Sequence, residues 1–450
     1  MCRKQHASGQ GRLKVRRYRP LRGVRVLSFE AAFSLPAATR VLSELGADVV
    51  RIGRPTGDFP PFTHRTDGSA LNKRSVSVNL QHEAGRSLAF ELATRADIVC
   101  NNFRPRVLRG LGLSYEALSV RRPDIIMLQL SGYGTPGPWQ DIGAFGPSVE
   151  AAGGMDTSIG APTDPPTKVG STVFADQTAG RYAALAIATA LERRRATGQG
   201  RYIDLSMYEG IAHMLGDRII GAARAGRAAA RLGNRGTLCA PQGVYPCRGD
   251  DEWLALSVCS DAQWRALCGV LGGGLREDAL PDKFMSAGMA RRAEEHDRID
   301  RAIAAWTRSR TKEEAAELLQ AKGVPAGPVQ KVSDMPFDPQ LRFRKAFQDV
   351  RHVEPVLGYR AHPHLTLAWR IEGFSRPPLT DARPDGADNR AVLRSWLGVS
   401  AKAVADLDKN GALLPPRLPP VPPGNRLPGV PVDPGFAERL GLEPAVETAS

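Results

Sequence analysis

The sequence lacks long apolar runs and closely spaced cysteine pairs. No stretch is apolar and long enough to cross a membrane, and the first residues lack the apolar segment of a secretory signal. No C-x-x-C pair occurs either, so we expect reduced thiols in a cytoplasmic protein with no membrane partner. The six cysteines are Cys2, Cys100, Cys239, Cys247, Cys259 and Cys268.

Acidic residues are missing from the first 20 residues, which contain seven Lys or Arg. Half of the formal net charge of +14 therefore falls in this segment, and the remaining excess is mostly Arg and is spread widely. This distribution argues against a nucleic-acid partner, and we expect residues 1–20 to form a basic, disordered tail. The eight histidines are scattered, with only a weak pair at His362 and His364, so no metal site is predicted.

Strands and helices alternate from Leu21 onward. The chain has 450 residues, of which 42% are hydrophobic and 24% charged, as is typical of a folded protein with one large or two ordinary domains. Short apolar runs separated by amphipathic helices indicate a mostly parallel, Rossmann-like α/β sheet with crossover connections. The predicted strands are Val24–Phe29, Asp48–Ile52, Ser75–Leu80, Asp97–Phe103, Asp124–Leu130 and Tyr202–Met207.

The pattern changes after residue 225. Residues 21–225 are predicted to form the N-terminal part of a large Rossmann-like domain, and 226–345 a smaller α+β domain with its linkers. We expect residues 346–413 to return to the large domain. Residues 414–450 are rich in proline, which favours polyproline II or disorder.

The stretch Val169–Arg195 carries the main candidate for chemistry. It predicts a short apolar strand, then Asp176, then a long helix with a broad apolar face that stops at Gly198. Asp176 could be a helix N-cap, which is the plainer interpretation. A carboxylate at a strand-to-helix junction of an α/β protein also lies where ligands bind, and the helix N-terminus would keep it ionised. In a dry pocket it could attack a carbonyl and form an anhydride. The two interpretations are compatible.

Ordered segments of the chain, from about Leu21 to Leu413, resemble the family III CoA-transferases, also called the CaiB/BaiF family. This family includes formyl-CoA, carnitine and benzylsuccinate CoA-transferases and the related α-methylacyl-CoA racemases. No single motif is decisive, but the order of the whole set is specific. Besides the Asp176 stretch, the matching segments are LRGVRVLSFEAAFSLPAATRVLSELGADVVRI, LNKRSVSVNL, ADIVCNNFRPRVLRGLGL, PDIIMLQLSGYGTPGPW, TGQGRYIDLSM and KGVPAGPVQKVSDMPFDPQLRFR.

The resemblance implies an enzyme that moves CoA from an acyl-CoA donor to a carboxylic acid acceptor. An aspartate at the place of Asp176 would be the nucleophile, with an aspartyl–acyl anhydride and an aspartyl-CoA thioester as intermediates. The CoA thioester is a substrate, and no cofactor is implied. The resemblance also implies an interlocked homodimer, with a heteromer containing a same-family subunit as the alternative.

Four positions match family residues near CoA, and a fifth lies nearby. Arg54 corresponds to an arginine near the nucleotide phosphates, and a guanidinium group suits phosphate. Asn102 and Phe103 match a pair beside CoA, and Val78 matches an apolar position lining the adenine pocket. Arg104 is an additional candidate for contact with phosphate. Each of these residues also has an ordinary structural explanation, as a loop charge, a loop contact or a strand residue.

Some positions depart from family members that act on very small acids. Ala31, Ala32 and Phe33 stand where formyl-CoA transferases have polar residues, and Phe145-Gly146 replaces a Tyr-Glu pair. The chain is therefore closer to the benzylsuccinate CoA-transferase type, which acts on larger acids. An acyl-CoA racemase or isomerase is the alternative, but its proton-transferring His-Asp sequence is missing, and only Glu150 could substitute.

Overall fold

The computed structural model describes residues 16–53, 68–168, 170, 173–272, 287–356, 359–416 and 434–442. The chain divides into two compact units. Unit 1 takes in the described residues of Met1–Gly154, Val169–Gly216 and Pro339–Ser450, and unit 2 those of Met155–Lys168 and Asp217–Asp338. Unit 2 thus begins before the predicted boundary at residue 226 and also includes a short segment that precedes the Asp176 stretch.

The strands of the described residues fall into several sheets. They are β1 (Arg16–Arg17), β2 (Arg25–Phe29), β3 (Asp48–Gly53), β4 (Arg74–Ser77), β5 (Ile98–Asn101), β6 (Ile126–Ser131), β7 (Arg201–Ser206), β8 (Gln242–Pro246), β9 (Trp253–Ser257), β10 (Ala326–Val329), β11 (Phe347–Val356), β12 (Tyr359–Leu365) and β13 (Phe374–Ser375).

The helices differ widely in length, and the longest, Phe174–Thr197, contains Asp176. The described α-helices are Ser34–Glu44, Glu83–Arg95, Pro105–Gly110, Tyr115–Arg121, Gly146–Ala152, Phe174–Thr197, Met207–Met214, Gly216–Ala225, Asp261–Leu271, Met289–Glu294, His296–Thr307, Lys312–Gln320, Pro339–Phe343, Asn389–Val392, Ala401–Lys409 and Pro434–Leu440.

A parallel sheet of six strands, in the order β4-β3-β2-β5-β6-β7, lies at the centre of unit 1. Leu27 on β2 pairs with Val50 on one side and Val99 on the other, and all three side chains are fully buried. Every residue of β5 and β6 is buried, as expected for strands that helices cover on both faces. The predicted Rossmann-like parallel sheet is confirmed.

Residues near both chain ends contribute to unit 1. The side chain of Asp388 accepts a hydrogen bond from the N–H of Ser75 at 3.0 Å, and Asn389 accepts one from the N–H of Ser77 at 2.9 Å, so both bind edge strand β4. Part of the basic tail is placed as well: β1 pairs in parallel with β13, and Tyr18 packs edge-on against Phe374. Residues 1–15 lie outside the described residues.

Unit 2 contains an antiparallel sheet, β10-β9-β8, packed against helices around the buried Trp264. This arrangement matches the predicted smaller α+β unit. Cys239 and Cys259 form a disulfide, so the prediction of reduced thiols is wrong for these two residues. Their separation of 20 residues gave no sequence signal, because the pairing depends on the fold. Cys100, Cys247 and Cys268 are free and buried.

The Asp176 stretch carried two predictions, a short strand followed by a long helix. The predicted strand falls largely on residues 169, 171 and 172, which lie outside the described residues, while Gly170 lies in a turn and Val173 has irregular backbone. The helix itself is confirmed: it runs from Phe174 to Thr197 and ends at Gly198, which adopts the left-handed conformation that glycine favours. Within the described ranges, no helix is both long and apolar enough to span a membrane.

Candidate active site

The order of the sheet identifies one crevice as the candidate ligand site. Strands β2 and β5 are neighbours, but the chain continues from β2 to β3 on one side and from β5 to β6 on the other. Such a reversal separates the connections beyond the carboxyl ends of the two strands, and ligands of open α/β sheets bind in the resulting crevice. The segments that follow β2 and β5 therefore form the walls of the site.

Asn102, directly after β5, binds the segment after β2. Its side-chain oxygen accepts a hydrogen bond from the N–H of Ala31 at 2.9 Å. Its amide nitrogen donates to the Ala31 carbonyl at 2.6 Å and to the Ser34 hydroxyl oxygen at 3.2 Å. In the same segment, Ala32 has a φ of +54°, a backbone angle that residues other than glycine rarely adopt. Asn102 therefore stabilises an unusual turn that leads into the helix Ser34–Glu44.

Ser34 connects this turn to Asp176. Hydrogen bonds from the Ser34 N–H and hydroxyl to the Asp176 carboxylate lower the pKa of Asp176, but larger effects oppose them. Burial, followed by the charge of Glu150, raises the pKa of Asp176 to about 6. Only 5% of Asp176 is exposed. We expected the helix N-terminus alone to favour the charged form, whereas desolvation outweighs it here.

Asp176 is the third residue of its helix and not the N-cap. The N-cap residue is Val173, whose side chain provides no hydrogen bond. Instead, Glu150 from the helix Gly146–Ala152 accepts a hydrogen bond from the N–H of Ala175 at 2.9 Å. The simple N-cap interpretation of Asp176 is therefore wrong, since a residue 25 positions away supplies the acceptor.

Two glycines allow close contacts around the carboxylate. A Cβ atom on Gly146 would lie 2.0 Å from Asp176 Oδ2, so the backbone itself contacts the acid. A Cβ on Gly180 would lie 2.7 Å from the Ser34 carbonyl oxygen. The absence of a side chain at Gly180 therefore makes room for the helix Ser34–Glu44.

The remaining predicted CoA-binding residues are distributed unevenly. Arg54 lies outside the described residues. Val78 is fully buried and forms an isolated bridge with Leu413. Phe103 is partly buried against the core of unit 1. Arg104 is exposed, and its guanidinium group contacts Gly143 in the loop that leads to Gly146. Contact of these residues with CoA stays a prediction.

Sequence reasoning missed Ser34 and the structural role of Gly146. Neither belongs to a recognisable motif, because each acts on Asp176 from a distant part of the chain. Glu150 was considered only as a substitute base for a racemase. In the described ranges, no group of three or more His, Cys, Asp or Glu residues could hold a metal ion.

The fold and the site define an α/β protein with a buried carboxylate at the switch point of a parallel sheet. The sequence model of CoA-transferase family III matches residues 21–389. The chain therefore belongs to CoA-transferase family III, and it is an enzyme that transfers CoA.

Individual relatives agree with this assignment. The succinyl-CoA–D-citramalate CoA-transferase of Chloroflexus aurantiacus is 30% identical over 409 residues, which cover 86% of this chain and 97% of that protein. The β subunit of succinyl-CoA–L-malate CoA-transferase from the same organism is 31% identical over 337 residues, covering 72% of this chain and 82% of that protein. A crystal structure of a CaiB/BaiF family protein from Brucella suis matches with a TM-score of 0.74 and 24% identity, covering 84% of this chain and all of that chain, which supports the fold.

Proposed function

We propose that the protein transfers CoA from an acyl-CoA thioester to a carboxylic acid, with Asp176 as the nucleophile. The observation that carries this proposal is the nearly complete burial of a carboxylate whose pKa is raised to about 6. Such a group is about nine-tenths ionised at pH 7. It is also more basic than an aspartate in water, and therefore a better nucleophile toward a thioester carbonyl.

The reaction proceeds through three covalent species without net proton transfer. The Asp176 carboxylate attacks the donor thioester, the C–S bond breaks, and CoA thiolate leaves an aspartyl–acyl anhydride. The thiolate then attacks Cγ of Asp176, which releases the donor carboxylate and forms an aspartyl-CoA thioester. The acceptor carboxylate attacks the same carbon and displaces the thiolate, giving a second anhydride. The thiolate finally attacks the acceptor carbonyl and regenerates free Asp176.

Ser34 would stabilise the steps in which Cγ of Asp176 is attacked. A negative charge then develops on an oxygen of the aspartyl group itself. The Ser34 N–H and hydroxyl already bind the carboxylate in the free enzyme. Because these donors are fixed in advance by the turn that Asn102 holds, they would act as an oxyanion hole at no cost in reorganisation.

CoA would bind along the segments that follow β3, β4 and β5. We assign Arg54 and Arg104 to the phosphates, because guanidinium groups match phosphate geometry. Asn102 and Phe103 would lie beside the pantetheine or adenine, and Val78 beside the adenine. An apolar acid is favoured as one substrate because Phe145, next to Gly146, leaves 62% of its surface exposed. Two relatives are named for succinyl-CoA, which makes it the first donor to test.

Trapping of the covalent intermediate tests the proposal. The protein is incubated with succinyl-CoA, quenched in acid and digested with trypsin, which releases the peptide from Val169 to Arg181. We expect the mass of CoA or of a succinyl group on Asp176. Glu192→Gln is the matched control, since this exposed residue lies on the same helix and its variant should give the same adduct.

Two results would contradict the proposal. The first is a CoA or acyl adduct on a different residue, and the second is an Asp176→Ala variant that transfers CoA at the normal rate. A racemase would instead exchange the α-proton of the acyl group for deuterium when no acceptor acid is present. We expect no such exchange, because Ala144-Phe145 provides no proton-transferring group where racemases have His-Asp.

We also propose that the protein assembles as the interlocked homodimer of its family. The alternative is a heteromer, since one relative is named as the β subunit of its enzyme. Light scattering coupled to gel filtration distinguishes the two. A dimeric mass for the purified single chain is expected, whereas a monomer that becomes active only with a second family member would favour the heteromer.

A further inference from the structure

Glu150 is unusual because it is a fully buried carboxylate on a short helix, Gly146–Ala152. One oxygen, Oε1, accepts the hydrogen bond from the Ala175 N–H at 2.9 Å. The helix that carries Asp176 has no side-chain cap of its own at Val173. Glu150 therefore supplies, from outside that helix, an acceptor at its first turn.

The second oxygen of Glu150 is the more informative one. Oε2 is buried and has no hydrogen-bond partner among the described residues. An unpaired buried carboxylate oxygen is costly, so its presence needs an explanation beyond helix capping, which a neutral amide would provide as well. The neighbouring Asp176 carries the same charge, and the two carboxylates repel each other in a site that water barely reaches.

We propose that Glu150 is a positioning residue for CoA transfer, which holds the first turn of the nucleophile's helix and whose charge favours acylation of Asp176. This inference rests on the proposed function. In each anhydride and thioester intermediate the Asp176 group is neutral, so forming any of them removes the repulsion from Glu150. The repulsion is therefore felt in the free enzyme and relieved in the covalent species, which lowers the barrier to the first attack.

The other elements packed around Asp176 also carry ionisable groups, and each of these contacts another residue or is exposed. On the helix Ser34–Glu44, Arg40 pairs with Glu44 at 2.7 Å. On β7, Asp204 accepts hydrogen bonds from the Thr135 N–H and hydroxyl. On the helix Met207–Met214, the ring of His213 lies edge-on to Tyr182, and Glu209 is exposed. Glu150 is the group whose charge acts on Asp176.

Direct titration of Asp176 tests this inference without any substrate. The protein is labelled with ¹³C at the aspartate Cγ, and the Asp176 signal is identified by its loss in Asp176→Asn. In Glu150→Gln, which keeps an oxygen acceptor for the Ala175 N–H, we expect the titration midpoint of Asp176 to fall by about one pH unit. The control is Glu209→Gln, which removes the same charge from an adjacent helix and should leave the midpoint unchanged.

The outcomes separate a charge effect from a structural one. If Glu150 were only a helix cap, Glu150→Gln would titrate like the wild type, and this result would overturn the inference. Glu150→Leu removes both the charge and the acceptor, and an Asp176 midpoint equal to the wild-type value in this variant would overturn the inference as well. Failure of the proposed function is recognised separately, as CoA transfer that persists in Asp176→Asn, whatever the titration shows.

Discussion

Two helix N-termini in this protein are stabilised in contrasting ways. The helix Lys312–Gln320 begins with a capping box: the Thr311 hydroxyl accepts a hydrogen bond from the Glu314 N–H at 3.1 Å, and the Glu314 carboxylate accepts one from the Thr311 N–H at 2.9 Å. The helix Phe174–Thr197 begins at Val173 with no side-chain cap, and Glu150 provides an acceptor from a distant segment.

The two helix ends differ in whether they stabilise the fold. The capping box satisfies two free N–H groups with residues three positions apart, and it stabilises its helix by local contacts alone. At the other helix, a desolvated acid sits in the first turn beside a second acid, an arrangement that opposes the charged form of Asp176. If Asp176 is the nucleophile, this arrangement lowers the stability of the fold in favour of reactivity, a trade-off that is common at functional sites.

The largest expected effect is the loss of activity in Asp176→Asn. The amide cannot attack the thioester, so we expect the rate of CoA transfer to fall by at least about a thousandfold, which corresponds to about 4 kcal/mol. The rate is measured by exchange of labelled succinate into succinyl-CoA. Glu192→Gln on the same helix should retain full activity. A residual rate within tenfold of the wild type would remove Asp176 from the mechanism.

The same substitution should make the protein more stable, in contrast to the loss of a true cap. The pKa of Asp176 is raised from the reference value of 3.8 to about 6 in the folded state. Its contribution to stability is therefore fully present below about pH 4 and is lost as the pH rises through about 6. At pH 8 the ionised group destabilises the fold by about 3 kcal/mol, from a shift of about two pKa units.

Asp176→Asn should therefore raise the free energy of unfolding by up to about 3 kcal/mol at pH 8, and by little near pH 4. Urea denaturation of both proteins at the two pH values measures this difference. Equal stability changes at both pH values would mean that the charge of Asp176 is not the source, and the contrast between the two helices would then lose its electrostatic basis.

Local signals in the sequence were sufficient for most of the fold. The run predicted as Asp48–Ile52 is the strand Asp48–Gly53, and the run predicted as Val24–Phe29 is the strand Arg25–Phe29. Such elements are set by short-range apolar patterns, and the parallel sheet follows from their alternation. The capping box at Thr311 is also visible in the sequence, because its partners are three residues apart.

The site was less predictable because its contacts are long-range. Asp176 was recognised through its family, but its hydrogen-bond donor Ser34 and its neighbour Gly146 come from other parts of the chain. Asn102 was expected to contact CoA, yet both ends of its amide bind the segment Ala31–Ser34. The spacing of apolar residues does not show which residues the sheet brings together at the carboxyl ends of its strands.

A methyl group at Gly146 should disturb the proposed nucleophile, Asp176, more than it disturbs the fold. The added Cβ would lie 2.0 Å from Asp176 Oδ2, so the carboxylate must move away from the Ser34 donors. We expect Gly146→Ala to lower the rate of CoA transfer by about ten- to a hundredfold, as small displacements of a reacting group do. Gly137→Ala is the matched control, since its Cβ would meet nothing within 4 Å. Equal rates for the two variants would contradict the close contact.

The smallest effect is expected at the capping box, where a substitution should lower stability and leave activity unchanged. Thr311→Ala removes the acceptor for the Glu314 N–H and should lower the free energy of unfolding by about 1 kcal/mol, with CoA transfer per folded molecule unchanged. Urea denaturation at pH 8 and the exchange assay measure the two quantities on the same sample. Asp176→Asn and Thr311→Ala would then differ in the sign of the stability change and in whether activity survives. A Thr311→Ala variant that is as stable as the wild type would show that the local cap contributes nothing to the free energy of unfolding. The capping box would then not be an example of a helix end that stabilises the fold, and the comparison with the helix Phe174–Thr197 would fail.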